Sequence, residues 1–118
     1  MVKIDLTAFK PDGNSKPVET KWVGEKHEFL GEVIFVPRQT TSSSSLPVAE
    51  DDGYLLSYIM NGKTKQSFFV IFDAQNILKG PIHRAEIPGV HIPHGLHGSF
   101  APGLVFDYET ILRKFTVC

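Results

Sequence analysis

Residues 91 to 100 read HIPHGLHGSF and carry three of the chain's five histidines. Imidazole binds metals and titrates near neutral pH, so the cluster raises two chemistries, metal ligation and pH sensing. His91, His94 and His97 are spaced by three and three. A helix would bring that spacing toward one side, but Pro93, Gly95 and Gly98 oppose a helix here. In an extended chain, residues i and i+2 share a face while i and i+3 do not. His91 and His97 then share a face and His94 points away. The stretch is therefore not a self-contained three-histidine site. Its local reading is one inward ring and two surface rings. Gly95 and Gly98 permit close backbone approach, so a ring held between them can be presented toward a crowded centre.

A neutral imidazole that binds metal through one nitrogen usually donates its other N–H to a carboxylate. Glu32 heads EVIFVPR, the most apolar stretch of the chain, where a carboxylate is costly unless paired. Two readings stay open for Glu32: partner of an inward histidine, or solvated charge at a strand end. The chain has no H-E-x-x-H, C-x-x-C or G-x-x-x-x-G-K-S/T pattern. Its one cysteine, Cys118, excludes a multi-cysteine zinc ribbon and an internal disulfide framework, which fits a reducing compartment.

The elements that must position these residues read as strands. MVKIDL alternates Val2, Ile4 and Leu6 against Lys3 and Asp5. VETKWVG alternates in the same way, and Pro11, Asp12, Gly13 and Asn14 between the two runs predict a hairpin with a long loop. Val33 to Val36 are contiguous and apolar, which predicts a strand covered on both faces and closed by Pro37. The Ser-rich stretch 40–47 is an exposed loop. GYLLSYIM and KQSFFVIFD flank Asn61-Gly62, the strongest local hairpin signal. AQNILKGP reads as a turn or short helical piece. PIHRAEIP reads as a strand with Ile82, Arg84 and Glu86 on one side and His83, Ala85 and Ile87 on the other. Asp107 could cap a short helix over DYETILRKF. The fold class is all-β, with antiparallel sheets in a sandwich, barrel or propeller.

The 118 residues suffice for one small domain. A net charge of −1 gives no electrostatic reason to expect nucleic acid or an anionic membrane. No apolar run approaches the roughly 20 residues that span a bilayer. The N-terminus lacks the apolar core and cleavage site of a secretory signal, so cytoplasm and plastid stay open as compartments. The chain starts as though in the middle of a strand, which predicts an upstream portion.

Four motifs carry a family resemblance. GEVIFVPR resembles the GEPxFVPR stretch of the carotenoid cleavage oxygenases, and EDDGYLLSYIMNG resembles their EDDGxLLxxVxDG. FFVIFDAQNI resembles LxxLDAxxL, and IPHGLHGSF resembles VPxGFHGxF. VKIDL and KWVG match the strand pair before them. The resemblance covers residues 1–100 and corresponds to the C-terminal portion of the family, with 101–118 a divergent tail. Val33 replaces a common proline.

The resemblance implies blades of a seven-bladed β-propeller with Fe(II) on its axis, held by four histidines that glutamates hydrogen-bond from behind. It implies O₂-dependent cleavage of a conjugated double bond in carotenoids, apocarotenoids or stilbenes, with isomerisation in one relative. Under it His97 falls on an iron ligand and Glu32 on one of the supporting glutamates. His94 falls where relatives carry an aromatic, and His27, His83 and His91 match no ligand and are read as surface. The other three ligands would lie upstream, so this stretch alone is expected to be inactive. Two further readings compete: a non-catalytic β module that pairs through its strand edges, and a truncated non-functional product.

Overall fold

The computed structural model describes residues 1–7, 10, 15–38, 49–93, 95, 97–101 and 103. The Ser-rich loop, His94, Cys118 and the tail helix expected over DYETILRKF lie outside them. The described residues are all-β, as their alternating pattern dictates. A hairpin pairs β1 (Val2–Asp5) with β2 (Val18–Lys21), antiparallel, with Val2 opposite Lys21. The main sheet comprises β3 (Glu28–Leu30), β4 (Ile34–Pro37), β5 (Gly53–Asn61), β6 (Ser67–Asp73) and β7 (His83–Ile87). Its order is β3-β5-β6-β7, with β4 on the same edge of β5 as β3. A 3-10 turn, Ile77–Lys79, links β6 to β7. No helix among the described residues is long and apolar enough to cross a membrane.

The registers on that shared edge place a bulge. Leu30 pairs with Ile59 and Ile34 with Leu56. Gly31, Glu32 and Val33 thus oppose only Ser57 and Tyr58, one residue more than a regular ladder accommodates. The Gly31 N–H still donates to the Tyr58 carbonyl at 2.9 Å. The Glu32 carbonyl instead accepts from the Ser57 hydroxyl at 2.8 Å. An extra residue inverts the alternation, because side chains repeat every two positions. Glu32 therefore shares a face with Ile34 rather than with Leu30.

The two faces of the sheet differ. Leu55, Ile59, Val70 and Phe72 share one face, where Ile59, Val70 and Phe72 are wholly buried. Trp22, just after β2, covers this face and meets the Phe72 ring edge-on at 4.8 Å. Arg84 lies 3.9 Å over the Phe68 ring and pairs with the nearly buried Glu28 carboxylate at 2.6 Å. The opposite face carries Ile34, Leu56, Tyr58, Phe69 and Ser67.

One local expectation changes, and another is met in a longer form. The strand EVIFVPR is not covered on both faces, because β4 lies at the sheet edge and leaves Phe35 42% exposed. An edge is also where Pro37 is tolerated. The hairpin expected at Asn61-Gly62 forms between β5 and β6, through a loop longer than two residues. The Asn61 carboxamide oxygen accepts from the Lys63 and Thr64 N–H groups, and Lys65 takes the left-handed conformation at φ 63°. The loop is consequently longer than the dipeptide signal predicts.

Lys3 fastens the hairpin to the sheet. Its ammonium pairs with Asp51 and donates to the Ala74 carbonyl at 3.0 Å. The Lys3 hydrogen bond holds the Asp51 carboxyl below the usual carboxylate range. A depressed folded pKa stabilises above the unfolded value of about 4 and is lost as pH falls through the folded one. A carbon-detected NMR titration should show Asp51 ionising below a free aspartate, with the difference abolished by Lys3→Met. An ordinary Asp51 midpoint in the unaltered chain would contradict the pairing.

Candidate functional site

The histidine-rich segment crosses the second face of the sheet as an extended strap. Side chains rather than a backbone ladder tether it. The Ile92 N–H donates to the buried Ser67 hydroxyl at 2.9 Å. The Gly95 N–H donates to the Tyr58 hydroxyl. The Gly98 N–H donates to Glu32 Oε2 at 2.5 Å, and His97 Nδ1 lies 3.2 Å from Glu32 Oε1. The strap thus runs from β6 over β5 to the bulge.

The structure brings Glu32 and His97 together across 65 residues of sequence. Both carboxylate oxygens are engaged, one by the ring and one by the next backbone amide. The hydrogen bond from His97, then that from Gly98, lowers the Glu32 pKa and keeps it an anion. An ionised carboxylate only accepts, so Nδ1 carries the proton that it shares with Glu32. In the neutral ring, Nε2 is then the nitrogen with the free lone pair. The His97 side chain is 79% exposed, so that nitrogen is open to a ligand.

An open cleft of about 440 Å³ adjoins this pair, lined by Ile34, Leu56, Tyr58, Phe69 and Phe100. Its floor is the apolar second face of the sheet, and its polar groups converge at the Glu32–His97 end. His27, His83 and His91 are exposed, and His91 Nδ1 lies 3.2 Å from the Lys65 carbonyl. Among the described residues no group of three or more His, Cys, Asp or Glu side chains could hold a metal ion.

The residue reading missed Ser57 and Tyr58. Both lie in GYLLSYIM, where a strand pattern gives aromatic and hydroxyl side chains only a packing role. Gly31 before Glu32 was the available signal. A Cβ on Gly31 would collide with the Tyr58 ring, so the glycine is where the bulge meets that ring.

The chain resembles known proteins in sequence and fold. The family described as retinal pigment epithelial membrane protein matches residues 1–102. The chain is 45% identical over 75 residues to the apocarotenoid-15,15'-oxygenase of Synechocystis, covering 64% of this chain and 14% of that protein. It is 37% identical over 83 residues to lignostilbene-alpha,beta-dioxygenase isozyme III of Sphingomonas paucimobilis, covering 70% of this chain and 16% of that protein. The solved structure of a Synechocystis ACO mutant superposes with a TM-score of 0.56 at 40% identity, over 73% of this chain and 16% of that one. The chain therefore spans about one-sixth of the length of these relatives.

Proposed function

Because this chain belongs to the retinal pigment epithelial membrane protein family of carotenoid oxygenases, we propose that it is a C-terminal stretch of a non-haem Fe(II) dioxygenase. The enzyme would cleave a conjugated double bond of a carotenoid, apocarotenoid or stilbene. The observation that carries the reading is the Glu32–His97 pair at the end of an apolar cleft. In the intact protein these strands would form propeller blades, and other parts of the polypeptide would supply the remaining histidines.

The residues fit one position of such a site. His97 would bind the iron through Nε2, with Glu32 fixing the ring from behind through Nδ1. Fe(II) held by imidazoles with open positions would supply O₂ activation. Glu32 also pins the backbone through Gly98, so ring and main chain are held by the same carboxylate. Ile34, Leu56 and Phe69 would line an apolar path and exclude water from a polyene with few polar groups to satisfy.

Exposed side chains support membership in a larger assembly. Val2 and Ile4, which share one face of the hairpin, are 50% and 54% exposed. An apolar hairpin face of this kind is ordinarily covered by further protein. The test is a chimera in which residues 1–100 replace the matching stretch of the Synechocystis apocarotenoid oxygenase. It should take up stoichiometric iron by elemental analysis and cleave an apocarotenoid in an O₂-dependent assay. The 118-residue chain alone, loaded anaerobically with Fe(II), should hold much less than one iron. A folded chimera that takes up no iron would reject the reading.

A further inference from the structure

We propose that Tyr58 is a positioning residue that sets where the His97 ring is presented, acting through the backbone of the strap. This deepens the proposed function and rests on His97 being the ligand. Tyr58 lies on β5 directly opposite the bulge, between the two segments that carry the pair. Its ring occupies the space that a Gly31 side chain would fill. Its hydroxyl accepts the Gly95 N–H two residues before His97. Its own carbonyl accepts the Gly31 N–H at 2.9 Å, one residue before Glu32. One residue therefore touches the arm bearing the carboxylate and the arm bearing the imidazole.

The fit around the hydroxyl is close. A Cβ on Gly95 would come 2.7 Å from the Tyr58 oxygen, so only glycine lets the strap descend this far onto the phenol. Beyond Gly95, the next tether is Glu32 itself, through His97 and Gly98. Without the phenol, the strap between Ile92 and His97 loses its only described side-chain anchor, and the His97 ring depends on Glu32 alone. Glu32 can follow a moving ring, because its own side chain is partly exposed. The phenol makes the location of the pair definite, whereas the carboxylate makes the pair.

Tyr58→Phe separates hydroxyl from ring, since it keeps the packing against Gly31 and removes the acceptor. The measurement is NMR on the metal-free 118-residue chain, reading water exchange of the Gly95 amide and the ring proton resonances of His97. Loss of one hydrogen bond should speed Gly95 exchange about three- to tenfold. The His97 ring resonances should shift or broaden with it, while the thermal midpoint stays close to that of the unaltered chain. A purely structural tyrosine would respond to Tyr58→Ala and not to Tyr58→Phe, and would leave the His97 resonances in place. Unchanged Gly95 exchange in Tyr58→Phe, or faster exchange with an unmoved His97 ring, would overturn the proposal. An unprotected Gly95 amide in the unaltered chain would overturn it without any variant. The readout contains no metal, so its failure is separate from the failure of the chimera to take up iron.

Discussion

His97→Ala in the Synechocystis chimera is expected to remove iron and turnover together, while Glu32→Gln loses about 10- to 100-fold in metal affinity or activity. The two effects would differ because the two side chains would act at different distances from the metal. His97 would supply the bonding nitrogen, and alanine offers none. Glu32 would supply orientation and basicity through Nδ1. A glutamine carboxamide has one oxygen in place of two equivalent acceptors. It can serve the Gly98 N–H or the His97 N–H, and its NH₂ group then opposes whichever donor is left. The ring loses its fixed tautomer or the strap loses its anchor. Elemental analysis after dialysis and initial rates under air would measure both. Glu32→Gln with full iron and full turnover would show that the carboxylate does not hold a ligand in place. His97→Ala with full iron would place the missing ligand elsewhere.

The parts of this site differ in how plainly the sequence displays them. Strand positions follow from apolar alternation over a few residues, which is why VKID, GYLLSYIMN and SFFVIFD lie where their patterns place them. His97 and Glu32 were picked out by residue type and by motif resemblance, and local pattern alone left Glu32 between a partner and a solvated charge. What alternation could not display is the bulge. One extra residue on the edge of β5 inverts the facing of Glu32, and that count depends on pairing with a strand more than twenty positions away. The partners of the strap are equally remote, since Tyr58 and Gly95 are 37 residues apart. The edge position of β4 was hidden for the same reason: an apolar run looks alike in the centre of a sheet and at its border. The Asn61-Gly62 signal marked the hairpin correctly, and its loop is longer than two residues, with a side-chain oxygen that captures two backbone donors.

Phe72→Ala is expected to cost about 3–5 kcal/mol, the range for emptying a buried aromatic site. Against a typical total stability of about 5–15 kcal/mol, that loss is enough to unfold a small domain or bring it near its midpoint. Phe72 is wholly buried, and Ile59 and Val70 are its fully buried partners in the core cluster. The same ring receives the edge of Trp22, so its removal also loosens the β1–β2 hairpin from the sheet. Phe69 is the internal comparison. It lies on the same strand but on the opposite face, 39% exposed at the cleft. Phe69→Ala should cost much less, because a side chain already in contact with water leaves no closed cavity behind. Urea denaturation of both variants would measure the contrast. Equal losses would mean that the cleft face carries as much of the folding energy as the face beneath Trp22. A large loss confined to Phe72 would mean that the sheet is stabilised from one side, which leaves the Tyr58 and Phe69 side free to receive a ligand.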